Sequence, residues 1–127
     1  MILTVTCNPC IDKSFLVRGL TPKAWDVRYG PGGGGINVSR VIRRLGGETI
    51  AYGFAGGHTG AALRDLLNQE KLRHTLVEVM HPTRINITFM DEEDGAQYVF
   101  SLPGARVEGL EWKQHMAMNR GEDPKPE

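Results

Sequence analysis

The sequence lacks the features of a secreted or membrane-bound protein. Its first residues form neither the basic segment nor the apolar run of a signal peptide. No stretch approaches the roughly 20 apolar residues that span a bilayer. Only 2 cysteines are present, too few for a disulfide framework. These absences predict a cytoplasmic protein with reduced thiols and no membrane partner.

Net charge is absent as well. The 15 lysines and arginines balance the 15 aspartates and glutamates, so no overall electrostatic field attracts nucleic acid or an anionic surface. We therefore expect no nucleic-acid partner, and any site for an anion must be built locally.

Several nucleotide- and metal-binding motifs are incomplete. Gly30, Gly32 and Gly35 satisfy G-x-G-x-x-G, but the acidic residue expected about 20 positions later is missing. No Gly-Lys-Ser/Thr triplet of a phosphate loop occurs. Cys7 and Cys10 form a C-x-x-C without the second ligand pair of a zinc site. Dinucleotide, phosphate-loop and zinc sites are thereby excluded. Two half-buried cysteines and a thiol redox site remain as alternatives.

What is present is an ordinary globular composition, 127 residues of which 40% are hydrophobic, enough for one domain with a core. Predicted strands over 2–6, 49–55 and 75–79 alternate with two helices, which indicates an α/β fold with a parallel sheet. Short strands near 14–29 and a hairpin over 84–102 fall outside this alternation. They predict a separate small sheet.

Each predicted helix has one apolar face that we expect to be buried. In the first helix this face is formed by Ile36, Val38, Val41, Ile42 and Leu45. In the second, with Thr59 as the predicted N-cap, it is formed by Ala62, Leu63, Leu66 and Leu67. A short helix is predicted around 110–118 and a disordered tail over 119–127.

Side chains suited to ligand binding follow strand ends and a glycine run. Four glycines precede the first helix, whose N-terminus offers unpaired N–H groups, and Asn37 in its first turn suits sugar hydroxyls. Asp12 follows the first strand, at the edge where open α/β sheets bind ligands. Arg84 begins a strand whose polar face also carries Asn86, and its guanidinium suits phosphate. The structural alternatives are a flexible loop, a turn aspartate and a solvated arginine.

These segments occur together, in order, in one known family. Thr6-Cys-Asn-Pro-Cys-Ile-Asp12 resembles the opening T-x-N-P-x-I-D of the phosphofructokinase B carbohydrate kinases, and Pro31-Gly-Gly-Gly-Gly-Ile-Asn-Val-Ser-Arg40 resembles their first signature. The resemblance covers about residues 1 to 105. Within the family, Gly34, Gln97-Tyr98 and Leu102-Pro-Gly-Ala105 are most similar to the minor 6-phosphofructokinase and 1-phosphofructokinase type.

The resemblance implies a ribokinase-like fold, in which a Rossmann-like parallel sheet with helices carries a small β-sheet lid that pairs in a homodimer. It also implies phosphoryl transfer from ATP, with Mg²⁺, to fructose 6-phosphate or a similar sugar phosphate. By position, Asp12 would hold sugar hydroxyls, Gly33, Gly34 and Asn37 would line the same pocket, and Arg84 would contact the phosphate already on the sugar.

Three departures from the family pattern qualify that expectation, the first being a shorter segment between Asp12 and Pro31, which leaves Lys23 without a clear counterpart in the family. The G-A-G-D segment, which carries the family's anion hole and catalytic aspartate, is absent from the sequence. Val99 stands where similar members carry a second arginine. Residues 1–118 are therefore expected to be the N-terminal part of a ribokinase-like domain, truncated before its ATP-binding half. We expect it to have no catalytic or metal-binding residue and to be inactive alone. The alternative is a non-catalytic module that binds a sugar phosphate or dimerises.

Overall fold

The structure is a computed structural model that describes residues 1–19 and 23–113, and it has the expected α/β architecture. In chain order the elements are β1 (Ile2–Thr6), β2 (Cys10–Val17), β3 (Trp25–Gly32), α1 (Gly34–Arg44), β4 (Thr49–Gly56), α2 (Gly57–Gln69), β5 (His74–Val79), β6 (Arg84–Asp91) and β7 (Gln97–Phe100). Residues 109–113 are also helical. The remainder of the helix predicted over 110–118 and the predicted tail over 119–127 lie outside the described residues.

The first sheet is parallel, in the order β1-β4-β5. β4 is central and almost wholly buried, which explains its nearly unbroken apolar sequence. Its small residues Ala51 and Ala55 face both helices and pack against Ile36 of α1 and Leu63 of α2. This sheet, called the core sheet below, thus has one face covered by α1 and α2.

Helix α1 is anchored to the core sheet by hydroxyl groups, which the apolar pattern did not predict. The Ser39 hydroxyl is fully buried and lies 2.7 Å from both the Thr4 and the Thr49 hydroxyls. A small residue at position 39 lets the helix approach β1 and β4 closely. The prediction of a single buried apolar face is therefore wrong in part, because three of its members are at least half exposed: Val38, Val41 and Leu45.

The N-cap of helix α2 lies three residues before the predicted one. Its N-cap is Gly56, and Thr59 lies within the helix, where its hydroxyl donates to the Thr83 carbonyl. The predicted N-cap at Thr59 is therefore wrong, because that hydroxyl joins α2 to the segment before β6. Leu63 and Leu67 are buried as expected and Leu66 is half-buried, whereas the prediction for Ala62 is wrong, since this residue is exposed. No helix within residues 1–19 and 23–113 is long and apolar enough to cross a bilayer.

In the described part of the chain, the opposite face of the core sheet is covered beside β4 and β5 and not beside β1. Phe54, Val77 and Val79 form a second apolar cluster with Ala105 and Val107. The Trp112 ring meets the Phe54 ring edge-on, with 5.2 Å between ring centroids. On β1, by contrast, Leu3 and Val5 are 51% and 47% exposed on this face.

The second sheet, called the lid sheet below, has the order β3-β2-β6-β7. β2 and β6 run parallel, and the outer strands pair antiparallel to them. β2 and β3 extend beyond the predicted short strands, because their pairing continues from Leu16 and Trp25 to Cys10 and Gly32. The lid sheet therefore connects directly to the glycine run.

The two faces of the lid sheet differ in chemistry. On one face, stacked rings join Phe15 to Phe89 and Phe89 to Tyr98, with centroid separations of 5.4 and 4.9 Å. The other face carries Cys10 and Asp12 on β2 beside Arg84 and Asn86 on β6. Alternation along the strands therefore separates an aromatic face from a polar face.

We expect Ser39→Ala to lower the free energy of unfolding by about 1–3 kcal/mol, because the Thr4 and Thr49 hydroxyls would stay buried without their shared partner. Urea denaturation of both proteins measures the difference. Val41→Ala, at an exposed position of the same helix, serves as the control and should change stability by about 0.5 kcal/mol or less. Equal stability of Ser39→Ala and the parent would contradict the role given to these hydroxyls.

Candidate functional site

The glycine run brings the start of α1 against the end of β1. Gly33 has a φ of 118°, which side chains rarely allow, and a Cβ there would lie 2.6 Å from the Thr6 methyl group. The Thr6 hydroxyl accepts the Ile36 N–H at 3.0 Å. The first turn of α1 is thus capped from β1, and its N-terminus is placed at the carboxyl ends of the parallel strands.

Asp12 lies beside this loop on the polar face of the lid sheet. In the strand register it is opposite Gly30 of β3 and Asn86 of β6. A Cβ at Gly32 would overlap the Asp12 carboxylate and would lie 2.7 Å from the Cys10 sulfur. The missing side chain at Gly32 is therefore what allows the carboxylate and the thiol to occupy this position.

Arg84 is held on the same face by backbone carbonyls. Its Nη1 donates to the Leu102 carbonyl at 3.3 Å and its Nη2 donates to the Asn8 carbonyl at 3.1 Å. Its Nε is buried and makes no hydrogen bond. Among residues 1–19 and 23–113, no carboxylate forms an ion pair with this guanidinium. The site therefore contains a fixed positive charge that no neighbouring acid neutralises.

Cys10 lies between these two charged residues. Its side chain is 2% exposed, and burial raises the pKa of its thiol to about 12, with the hydrogen bond to Asp12 and the Asp12 charge acting in the same direction. The Arg84 charge opposes this rise in pKa. Redox-active thiols require the opposite, a lowered pKa that makes the thiolate available. Cys10 is therefore a poor nucleophile, and Cys7 and Cys10 are both free thiols.

The sequence-predicted residues fall into two adjacent groups. Asp12, Gly33 and Arg84 are joined through the segment 8–10, which contacts each of them. Gly34 and Asn37 are exposed in the first turn of α1. The predicted site is thus a short arc that runs from the lid sheet to the helix N-terminus.

Three residues of the site were not predicted to belong to it. The Asn8 and Leu102 carbonyls hold Arg84, and no sequence signal marks a backbone acceptor. Cys10 was interpreted only through its C-x-x-C spacing, although its position two residues before Asp12 in a strand places both on one face. Within the described part of the chain, no three His, Cys, Asp or Glu side chains are grouped to hold a metal ion.

Comparisons with known proteins agree with this architecture. The model of the pfkB family carbohydrate kinases matches residues 4–119. The chain is 44% identical over 92 residues to the 1-phosphofructokinase of Bacillus subtilis, which is 68% of this chain and 30% of that protein. It is 38% identical over 118 residues to the ATP-dependent 6-phosphofructokinase isozyme 2 of Escherichia coli, which is 89% of this chain and 38% of that protein.

The structural match is close over the shared region. The crystal structure of Escherichia coli phosphofructokinase-2 in complex with fructose-6-phosphate superposes with a TM-score of 0.89 and 35% identity, covering 94% of this chain and 41% of that one. The chain thus spans well under half the length of these relatives. It has their ribokinase-like fold over the part that it shares, with a parallel α/β sheet and a lid. On the family match and these relatives, the chain belongs to the pfkB family of carbohydrate kinases.

Proposed function

We propose that this chain forms the sugar-phosphate-binding part of a phosphofructokinase-like kinase. The reaction would transfer a phosphoryl group from ATP, with Mg²⁺, to fructose 6-phosphate or a similar phosphorylated sugar. The relatives whose names state these activities support the class of reaction, and the geometry of the polar lid face supports the role of this region in it. A cytoplasmic location and the domain boundary at residue 118 remain predictions.

The observation that carries this proposal is that the Arg84 guanidinium has no carboxylate partner among the described residues. The Arg84 guanidinium is partly buried, with its Nε shielded from solvent, and holding such a charge without a carboxylate partner is costly unless an anion joins it. Its two backbone hydrogen bonds fix its position without neutralising its charge. A sugar phosphate supplies the missing negative charge, and an arginine fork matches phosphate oxygens.

The other predicted residues suit the sugar itself. The Asp12 carboxylate can accept hydrogen bonds from sugar hydroxyls, and the exposed amide of Asn37 can donate and accept them. A Cβ at Gly34 would meet nothing within 4 Å, so this part of the helix N-terminus is open to a ligand, whereas Gly33 packs against Thr6 and fixes where the helix starts. We propose that these residues line the sugar pocket, with Arg84 at its phosphate end.

A second candidate function is association through the lid sheet, with or without catalysis. The aromatic face leaves Tyr98 and Phe100 45% and 53% exposed, and Tyr29 on β3 is 55% exposed beneath the Lys13 ammonium. Exposed apolar faces of this kind mark sites of protein association. We propose that two copies of the chain pair through these aromatic faces, so that the polar faces remain available to ligand.

Arg84→Ala should weaken the binding of fructose 6-phosphate by about 10- to 100-fold, because a charge-assisted hydrogen bond to phosphate is lost. Isothermal titration calorimetry of the purified chain measures this change. Arg73→Ala, which removes an exposed arginine just before β5, is the matched control and should bind as the parent does. Equal weakening by both substitutions would reveal nonspecific attraction and contradict the proposed phosphate contact.

A polypeptide of these 127 residues alone should not transfer phosphate from ATP to fructose 6-phosphate above background. Its sequence contains no G-A-G-D segment, and a general base alone typically contributes about 10²- to 10⁴-fold to such a rate. A coupled assay for ADP release measures turnover, with a full-length phosphofructokinase as the positive control. ATP-dependent turnover that Asp12→Ala abolishes would show that these residues suffice.

Phe100→Glu should convert a dimer of the chain into a monomer, because it places a charge in the aromatic face. Analytical ultracentrifugation at micromolar concentration gives the mass in solution. Val99→Glu is the matched control, since Val99 is 62% exposed on the same strand but points to the polar face. A parent chain that sediments as a monomer would contradict the proposed pairing.

A further inference from the structure

A chain of hydrogen bonds crosses the polar face of the lid sheet and ends at Asp12. The Leu102 N–H donates to Asn86 Oδ1 at 3.1 Å, and Asn86 Nδ2 donates to the Cys10 sulfur at 3.5 Å. The Cys10 thiol in turn donates to Asp12 Oδ1 at 3.3 Å. Every donor in this series points toward the carboxylate, so the series has one direction.

The thiol is suited to the donor role in this series. Cys10 is 2% exposed, and burial raises its thiol pKa to about 12. The thiol therefore keeps its proton at neutral pH and has it available for Asp12. The amide of Asn86 occupies the acceptor side of the sulfur, which leaves the S–H bond to point at the carboxylate.

The thiol hydrogen bond engages only one of the two carboxylate oxygens of Asp12. Oδ1 accepts the thiol, whereas Oδ2 lies over Gly32, at the start of the glycine run. The Asp12 side chain is exposed, and within residues 1–19 and 23–113 it forms no ion pair. Without the thiol contact, rotation of the carboxylate would have to be restricted by the ligand itself, at a cost in affinity.

We propose that Cys10 is a positioning residue, whose S–H group fixes Asp12 Oδ1 so that Oδ2 is presented to a sugar hydroxyl beside the glycine run. Asn86 supports this role by holding the sulfur, and through Leu102 it links the carboxylate to the segment that also holds Arg84. The inference rests on the proposed function only in taking Asp12 as the group that binds the sugar. It assigns to Cys10 a role that its C-x-x-C spacing does not suggest.

The first experiment tests the hydrogen bond itself and needs no sugar. The chain has 2 cysteines, so Cys7→Ser leaves Cys10 as the single thiol, and its S–H stretching band can be followed by infrared difference spectroscopy. In this background Asp12→Ala should move the band to the higher frequency of a thiol without an acceptor. An unchanged band would overturn the proposal, because the thiol would then not donate to Asp12.

The second experiment tests positioning with fructose 6-phosphate as the ligand. Cys10→Ala should weaken its binding by about 3- to 10-fold in calorimetry, as expected for one lost hydrogen bond of modest strength. Cys10→Ser keeps a donor of similar size and should restore most of that affinity, whereas Cys7→Ser should leave affinity unchanged. Urea denaturation of each variant checks that the fold is retained. Equal affinity of Cys10→Ala and the parent would overturn the positioning role.

The two experiments separate this inference from the proposed function. If the parent binds no fructose 6-phosphate, the proposed function fails, and the S–H band still decides whether Cys10 positions Asp12. If the parent binds the sugar and the band does not respond to Asp12→Ala, the proposed function stands and the role of Cys10 is wrong.

Discussion

The contact between the glycine run and the end of β1 holds the core sheet, the lid sheet and the candidate site in one arrangement. Thr6 supplies a hydroxyl to the first turn of α1, and a Cβ at Gly33 or Gly35 would collide with that same residue. The helix can therefore start at this point only because the glycines have no side chain to collide with Thr6. Because β3 runs directly into this turn, the position of the lid sheet relative to the core sheet depends on the same contact.

Because side chains alternate along the lid strands, the two faces of the lid sheet carry different kinds of side chain. Phe15, Phe89 and Tyr98 stack on one face, and the charged pair Asp12 and Arg84 lies on the other. A change of register by one residue would exchange these faces. The pairing of Cys10 with Gly32 and Arg84 keeps the register at the end nearest the core, so the same residues that build the site also maintain the sheet.

Errors in the sequence-based expectations arise where polar side chains take positions that apolar spacing alone does not anticipate. The α1 pattern counted Val38, Val41 and Leu45 as buried. The helix instead turns Ser39 toward β1 and β4, because a threonine hydroxyl of each strand lies there to bond it. Threonine is a residue type that favours the N-cap position, but the Thr59 hydroxyl donates to the Thr83 carbonyl instead of capping the helix. Both outcomes depend on residues distant in sequence, which propensity and periodicity cannot include.

The amino-acid sequence by itself determined the α/β class, the separate small sheet, the family resemblance and the candidate residues Asp12, Gly33, Gly34, Asn37 and Arg84. These follow from local periodicity, turn chemistry and motif order, all of which act over a few residues. Only the tertiary structure decided that Arg84 is held by two carbonyls, that Gly32 makes room for Asp12, and that Cys10 connects Asn86 to that carboxylate. Two of those relations, between Arg84 and Asn8 and between Cys10 and Asn86, join segments 76 positions apart in the sequence. They exist because the parallel pairing of β2 with β6 places the polar side chains of both strands side by side on the same face of the lid sheet.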